Sequence, residues 1–518
     1  MTPSPTDDRP DDRRPLWMTG RLPDDPAAAT SSPEAGVAGV EGDVEVVVVG
    51  AGLAGLTAAL ELSRAGRSVR VLEHRAVGAG ATGATTAKVT SLHGATYRAL
   101  VRRHGTETAA AYAAGNEAAR AWMEQCIADL GVDVALEHRP AVTYTRDERH
   151  RHVIVEEHAA AVAAGLPARL TDSLDVPFPI AAAVVLEEGQ FQFDPLRYLE
   201  ALAAAAIAAG ATVHQGTRAL GLGAGGRRLV VETDQGPVRA DHVLVCTATP
   251  FVDRGFFFAR LEPLRAYLVA VEVEGALPRS MSISVDEPVR SLRTAPGPEG
   301  AELLLVGGAG HPVGRGGDTR GREAELLTWV DAAFGACRRV AGWSAQDYAT
   351  LDGLPYVGGA RGLPDGVRVA TGFAKWGMTN ATLAGRLLAD DVLGRPHPRW
   401  AGALDAGRVD LTRSARRFVT LNSEVAGRLV AGHASSALAR SGAAEQEGRV
   451  VRGTATARVD GRTCRVSGIC PHLGGVLAWN PLERSWDCPL HGSRFSAEGR
   501  LLQGPAVNDL EARPPRED

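Results

Sequence analysis

A glycine-rich turn between a hydrophobic strand and a helix restricts the fold of this chain more than any other feature. Residues 44–49 read VEVVVV, which is typical of a buried parallel strand, and GAGLAG follows at residues 50–55. An apolar helix to about Arg64 and a second strand over residues 68–72 come next, and Glu73 follows that strand. The pattern predicts a doubly wound α/β domain that binds a dinucleotide.

The glycines and the acidic residue each have a role in such a site. Gly50 permits the tight turn, and Gly52 lets backbone amides approach a diphosphate. Gly55 lets the helix pack closely on the strand, so that the amino terminus of the helix faces the diphosphate. Glu73 is then placed to accept hydrogen bonds from the ribose.

A loop of small residues after Glu73 favours FAD over NAD, because FAD continues past its diphosphate toward a flavin ring. This loop, HRAVGAGATGATTAKVTSLHG, occupies residues 74–94. At this point the chain resembles the family of glycine oxidase, sarcosine oxidase and D-amino-acid oxidase. TLDGLPYVG at residues 350–358 and VATGFAKWGMT at residues 369–379 strengthen the resemblance.

The resemblance implies an FAD-binding domain of Rossmann-like, glutathione-reductase type, built from residues 43–98, 187–260 and 346–400. An α+β substrate domain would be interleaved with it, over residues 99–186 and 261–345. No cysteine occurs in residues 344–351, where some relatives tether the cofactor, so we expect non-covalent FAD. The residues expected beside FAD are Gly50, Gly52, Gly55, Glu73, Thr86, Lys88, Gly372, Lys375, Trp376, Gly377, Met378 and Thr379.

Lysine is rare in this chain: Lys88 and Lys375 are the two lysines among 56 basic residues. A lysine that persists where arginine is favoured can serve as a compact, tunable ammonium near a reaction centre, although two survivors can also arise by chance. Both fall in segments expected to touch the flavin. We expect them, with His93, to be candidate catalytic residues. Arg265, Tyr267 and His311 are further polar residues of the substrate domain, for which an ordinary loop role is the alternative.

Two short motifs near the carboxyl end each combine a cysteine with a histidine, in CPHLGG at residues 470–475 and CPLHGS at residues 488–493. A two-iron cluster held by two cysteines on one iron and two histidines on the other needs this set. A structural zinc site is the alternative, but zinc fingers pair their cysteines in one turn and their histidines in another. The motifs resemble the loops of Rieske iron–sulfur proteins. That resemblance implies a [2Fe-2S] cluster with the ligands Cys470, His472, Cys488 and His491.

The order of these parts resembles a bacterial group in which an amino-acid-oxidase-like flavoprotein carries a carboxyl-terminal Rieske domain. We expect a linker helix over residues 401–427 and a small all-β domain over residues 428–518, after a disordered tail of residues 1–42. Respiratory Rieske proteins link their two loops through a disulfide between two cysteines, but Gly475 and Leu490 stand at the matching positions here. Ser493 is kept, whereas Phe495 stands where respiratory forms use a tyrosine hydroxyl. Fewer hydrogen bonds to the cluster sulfurs stabilise the reduced cluster less. We therefore predict a reduction potential in the lower half of the Rieske range of about −150 to +300 mV.

Together these features predict an FAD-dependent dehydrogenase. A small amine or amino acid would deliver a hydride to the flavin, and electrons would then pass singly through the cluster to an external acceptor. A reductase with reversed electron flow, fed by NAD(P)H or a ferredoxin, is an alternative. The absence of a second nucleotide fingerprint weighs against NAD(P)H only. A redox sensor without turnover is a third possibility.

Composition restricts the partners. The net charge is −5 and there is no basic block, so we expect no nucleic acid partner. We also expect no membrane span and no signal peptide. Six scattered cysteines favour a reducing cytoplasm. The substrate, the acceptor and the oligomeric state do not follow from the sequence.

Overall fold

The computed structural model describes residues 13–18, 39–252, 254–297, 300–408, 411–438 and 447–514. Residues 13–408 form an N-terminal part with two large sheets, and residues 447–514 form a C-terminal domain with two small ones. The expected disordered tail lies mostly outside the described residues. Within it, Leu16–Met18 forms a 3-10 helix whose Trp17 is buried against Trp343 and donates a hydrogen bond to the Gly83 carbonyl.

The first sheet is the predicted parallel sheet. β1 lies at its centre and runs parallel to β2 on one side and β12 on the other. Its order is β10-β11-β12-β1-β2-β9, and β19 also pairs with β12 while β18 pairs with β19. Its strands are β1 (Gly42–Val49), β2 (Val69–Leu72), β9 (Thr212–His214), β10 (Ala219–Gly225), β11 (Arg228–Thr233), β12 (Val238–Val245), β18 (Tyr356–Gly358) and β19 (Val367–Thr371).

Three helices, α1, α5 and α7, pack together against this sheet. α1 is rich in alanine and leucine and is almost wholly buried, as the apolar pattern after the glycine turn predicts. The helices of the chain are α1 (Leu53–Arg64), α2 (Thr96–His104), α3 (Thr106–Leu130), α4 (Arg151–Ala163), α5 (Pro195–Ala208), α6 (Gly321–Phe334), α7 (Gly377–Leu393) and α8 (Leu411–Leu438). Short 3-10 helices cover Glu148–His150, Phe257–Ala259 and Arg399–Leu404.

The second sheet is mainly antiparallel and has the order β17-β13-β16-β15-β14-β5-β7-β6. It continues past residue 345, the expected end of the substrate domain, because β17 pairs with β13 as far as Thr350 opposite Leu261. Its strands are β5 (Ala141–Thr145), β6 (Arg169–Thr171), β7 (Ala182–Leu186), β13 (Leu261–Val273), β14 (Met281–Ser284), β15 (Arg290–Pro296), β16 (Glu302–Pro312) and β17 (Cys337–Thr350). A three-stranded patch consists of β3 (Lys88–Val89), β4 (Glu137–His138) and β8 (Phe191–Gln192).

The C-terminal domain is all-β, as expected. Its small core is built around Trp486 and Phe495, both fully buried, and also contains Cys470 and Cys488. One sheet consists of β20 (Gly448–Val451), β21 (Thr454–Val459) and β22 (Arg462–Ser467). The other consists of β23 (Ala478–Asn480), β24 (Ser485–Asp487), β25 (Arg494–Ser496) and β26 (Leu501–Gln503).

The helix that joins the two parts begins and ends later in the chain than the sequence predicts. The expected linker helix spans residues 401–427, whereas α8 begins at Leu411 and continues to Leu438. Its second half packs on the C-terminal domain, where Val425 and Leu429 contact the core and His433 bonds the Gly474 carbonyl at 3.0 Å. This packing keeps the segment after residue 427 helical, where we expected strands. None of the described helices has both the length and the apolar character needed to span a membrane.

Candidate functional site

Residues from both large sheets line a cavity of about 810 Å³. This volume lies in the upper part of the range usual for ligand and cofactor sites, about 300–1,000 Å³. Most of the residues expected beside FAD meet at this cavity. The expected residues that line it are Gly50, Gly52, Glu73, Thr86, Lys88, Lys375, Trp376, Gly377 and Met378.

The glycine turn has the contacts that the sequence predicts. Gly50 has a φ of +108°, in the region that favours glycine. A Cβ on Gly55 would lie 2.0 Å from the Gly50 carbonyl oxygen, so the close approach of α1 to β1 requires glycine. The first residues of α1 line the cavity, and the Leu53 N–H at its amino terminus donates to the Thr82 hydroxyl at 3.3 Å. Glu73 accepts hydrogen bonds from the backbone N–H groups of Ala51 and Arg75, each at 2.9 Å, which fixes its carboxylate at the cavity wall.

The start of α7 forms another part of the wall. Ala374 and Lys375 both have positive φ, a strained conformation that is concentrated at functional sites. This turn is held because the Lys375 N–H donates to the carboxylate of Asp347 and the Ala374 N–H donates to the Tyr348 carbonyl. No side chain caps the amino terminus of α7. Its N–H groups therefore remain available to an anionic or electron-rich group.

Both lysines line the cavity: Lys88 is buried in its wall, whereas Lys375 is exposed to the open space of the cavity. The Lys88 ammonium donates to the Ser282 carbonyl at 3.0 Å and to the Ser291 hydroxyl. Burial, assisted by the charge of Arg293, lowers the pKa of Lys88 to about 7. Burial also lowers the pKa of Lys375, and the nearby carboxylates of Asp347 and Glu287 oppose that shift. Both ammonium groups are thus tunable, as the lysine argument expects.

Four residues expected at the site lie outside the cavity lining: His93, Thr379, Gly372 and Gly55, the last of which packs α1 on β1. His93 lies behind the cavity wall: its ring stacks on Trp376 at 4.5 Å, and its nitrogens contact the Tyr112 hydroxyl and the Thr90 carbonyl, each at 2.7 Å. Burial lowers the pKa of His93 to about 3, so the ring is neutral and supports Trp376 from behind. Thr379 bonds His93 at 3.2 Å and is likewise absent from the lining. Gly372 also lies off the cavity, with Thr350 packed against it.

Several cavity residues were not predicted from the sequence. Asp347 and Gln346 come from β17, and burial raises the pKa of Asp347 to about 6. Leu502 and Gln503 come from β26 of the C-terminal domain, which therefore forms part of the wall. Arg265 and His311, two of the polar residues noted in the substrate domain, line the cavity. Arg265 also forms an ion pair with Glu483 of the C-terminal domain. Tyr267 is not in the lining and contacts His311 at 3.1 Å.

The four expected metal ligands meet in the C-terminal domain as two pairs. The thiol of Cys488 donates a hydrogen bond to Cys470, and both cysteines are 2% exposed. The rings of His472 and His491 lie 5.1 Å apart in an edge-to-face arrangement. One sulfur pair and one imidazole pair match what a Rieske-type cluster requires of the protein.

Hydrogen bonds prepare the first sulfur for a negative charge. Cys470 accepts hydrogen bonds from the thiol of Cys488, the backbone N–H of His472 and the hydroxyl of Ser493, which together lower the pKa of Cys470. Such donors stabilise a metal-bound thiolate. Gly475 and Leu490 occupy the positions where respiratory forms carry their disulfide, and they are in contact here. A Cβ on Gly475 would lie 2.8 Å from the side chain of Leu490, which fills that space.

The second ligand loop, residues 488–493, is packed against the N-terminal part. Gln346, which lines the cavity, donates to the Gly492 carbonyl at 2.8 Å. The Tyr348 hydroxyl donates to the Gly504 carbonyl at 3.1 Å. Phe258 packs edge-on against the rings of both histidines, 5.1 Å from His491 and 5.8 Å from His472. The cavity and the ligand loops therefore share a wall.

A family profile described as FAD dependent oxidoreductase matches residues 45–391, about two-thirds of the chain. The chain belongs to this family. A second profile, the Rieske [2Fe-2S] domain, matches residues 433–514. The protein is thus an FAD-dependent oxidoreductase with a carboxyl-terminal Rieske domain.

Individual relatives agree with this assignment. YhfW of Bacillus subtilis (strain 168), named as a Rieske 2Fe-2S iron-sulfur protein, is 30% identical over 476 residues, which cover 90% of this chain and 93% of YhfW. Glycine oxidase from Geobacillus kaustophilus has a similar structure, with a TM-score of 0.59 and 21% identity over 71% of this chain and 99% of its own. L-proline dehydrogenase from P. horikoshii has a TM-score of 0.57 and 17% identity over 71% and 98%. These two structures share the fold.

The residues present fit both cofactors that the family implies. FAD is suited by the amino termini of α1 and α7 at the cavity, the close glycine turn and the fixed carboxylate of Glu73. A [2Fe-2S] cluster is suited by the paired sulfurs and imidazoles of the two ligand loops.

Proposed function

We propose that the protein is a dehydrogenase that oxidises a small amine or amino-acid-like substrate and passes the electrons to an external acceptor. When bound, FAD supplies two-electron oxidation of the substrate and the Rieske cluster supplies one-electron transfer. The observation that carries this proposal is the wall shared by the cavity and the second ligand loop. Gln346 belongs to that wall and bonds the loop directly.

The charges in the cavity support an amino acid as substrate. Lys375 extends its ammonium to 3.4 Å from where a Cβ of Gly310 would stand, at the wall of the cavity. A bound substrate and cofactor would displace water from the cavity, and a cation attracts a carboxylate more strongly where less water screens it. Lys88, with its lowered pKa, is suited to accept a proton from a substrate ammonium, which must be neutral to lose a hydride. The two similar structures are named for glycine and L-proline, which agrees with this class.

The Rieske domain supports an outside redox partner. His491 is 6% exposed and faces the N-terminal part, whereas His472 is half-buried between the exposed residues Pro471 and Leu473. Electrons that enter the cluster from the shared wall would leave near His472. We also propose a cytoplasmic location, because the six cysteines, all among the described residues, form no disulfide.

An anaerobic substrate screen of the purified holoprotein tests the function. Glycine, sarcosine, L-proline and simple amines, with 2-hydroxy acids and NADPH as comparisons, are mixed with the protein while flavin absorbance is followed. We expect an amine or amino acid to bleach the flavin and to produce the electron paramagnetic resonance signal of the reduced cluster in the same sample. Bleaching by NADPH alone would favour the reductase, and no bleaching by any compound would favour a sensor. Either result overturns the proposal.

A further inference from the structure

Arg315 crosses from the N-terminal part to the second ligand loop. It lies in the segment between β16 and α6, far in sequence from the cluster motifs. Its Nε donates to the Pro489 carbonyl at 3.1 Å, directly beside Cys488. Pro489 also packs tightly on Gly314, where a Cβ would stand 2.7 Å from the proline nitrogen. The segment that carries Arg315 is therefore pressed against the loop that carries two ligands.

One nitrogen of this guanidinium is buried without a partner. The side chain of Arg315 is 5% exposed, and its Nη2 has no hydrogen-bond partner among the described residues. An unsatisfied buried donor, particularly a charged one, is destabilising unless another group meets it. On the ligand loop, the group that faces Arg315 is Cys488, whose sulfur would carry a negative charge when it binds iron.

Neighbouring charged side chains do not cancel the positive charge of Arg315. Arg315 Nη1 lies 3.2 Å from a carboxylate oxygen of Glu424 on α8, but the Glu424 side chain is 53% exposed, so water weakens its effect without removing it. Arg428, on the same helix, adds a second positive charge to the surroundings of Arg315, and Glu262 adds a second negative charge. Glu262 is itself paired with Arg417 at 3.3 Å, so the sum of these five charges near the second ligand loop is positive.

We infer that Arg315 is a positioning residue of the iron–sulfur centre, which fixes the second ligand loop and raises the reduction potential of the bound cluster. Reduction adds a negative charge to the cluster, so a buried cation nearby stabilises the reduced form. Arg315 acts against the effect expected from Phe495, whose missing hydroxyl lowers the potential. The inference concerns the cluster and does not depend on which substrate reduces the flavin.

A redox titration of the cluster, followed by electron paramagnetic resonance, tests this role without turnover. At a fixed ambient potential, we expect Arg315→Gln to lower the ratio of reduced to oxidised cluster about tenfold, which is about 59 mV for a one-electron couple. Arg315→Lys keeps the charge and should restore most of that ratio. Arg218→Gln is the matched control: Arg218 also crosses between the two parts, bonds the Val507 carbonyl at 3.4 Å and pairs with Asp509 at 2.9 Å.

A variant of opposite sign covers the case in which Arg315→Gln fails to load its cluster. Glu424→Gln removes the carboxylate that opposes Arg315 from an exposed position, and it should raise the ratio of reduced to oxidised cluster. An unchanged potential in Arg315→Gln with a loaded cluster would overturn the inference. So would an unchanged or lowered potential in Glu424→Gln, or a shift in Arg218→Gln as large as that in Arg315→Gln.

Discussion

The two ligand loops, residues 470–475 and 488–493, have similar sequences and the same internal hydrogen bonds but different surroundings. In each, the cysteine N–H bonds the carbonyl five residues on at 2.8 Å, and the glycine four residues on bonds the cysteine carbonyl at 3.1 Å. Yet Leu473 of the first loop is 42% exposed, whereas Leu490 of the second is 3% exposed. The motif determines the shape of a loop, and docking on the N-terminal part determines which loop faces the flavin cavity.

Substituting Leu490 and Leu473 by alanine should reveal the largest difference between the loops in their effect on stability. Leu490→Ala removes a buried side chain that fills the space over Gly475, so we expect a loss of about 2–5 kcal/mol in the free energy of unfolding. Leu473→Ala removes an exposed side chain and should change this free energy by less than about 0.5 kcal/mol. Denaturant unfolding of the cluster-loaded proteins measures both. Equal losses would show that the two loops are not buried differently.

The glycines at corresponding positions should differ less. Gly474 and Gly492 both have positive φ, so alanine is strained at either position. A Cβ on Gly492 would also lie 2.5 Å from Pro263, whereas a Cβ on Gly474 would meet no atom within 4 Å. We expect Gly492→Ala to destabilise the protein by about 1–3 kcal/mol more than Gly474→Ala does. Thermal unfolding of the two variants under the same conditions tests this difference in stability. Similar midpoint temperatures would contradict the prediction.

The bond between Gln346 and the second loop should give the smallest effect on stability. Gln346→Leu removes the hydrogen bond to Gly492 and should lower the free energy of unfolding by about 1 kcal/mol. We also expect slower reduction of the cluster after photoreduction of the flavin, since Gln346 touches both the cavity and the loop. Gln235→Leu is the control, because Gln235 bonds the Gly216 carbonyl at 2.9 Å on an exposed surface. If both variants reduce the cluster at the unaltered rate, the shared wall does not carry the electrons.

Local patterns predicted much of the fold. The strand, glycine turn and helix that begin at β1 form where expected, because the residues that determine them are neighbours in sequence. The helix starts at the cavity and the four expected cluster ligands also follow from local motifs. α8 was predicted to begin and end too early, because its second half is held by the C-terminal domain and not by its own sequence pattern.

The candidate site also combines residues that local sequence patterns predicted with residues that they did not. Lys88 and Lys375 reach the cavity as expected, but His93 does not, because Trp376 stands between it and the lining. Gln346 and Asp347 give no sequence signal, since they come from the middle of a long strand of the second sheet. Sequence periodicity shows which face of a strand is buried, but it does not identify the surface against which that face packs.

The sequence by itself determined that this chain has a glycine turn of the dinucleotide-binding type and a Rieske-type set of cysteines and histidines, because both patterns consist of residues at short, fixed spacings. Only the tertiary structure decided that His491 faces the N-terminal part, that β26 lines the cavity, and that Arg315 contacts the second ligand loop. These contacts join segments far apart in the chain. They depend on how two folded surfaces fit together, which no local pattern of residues specifies.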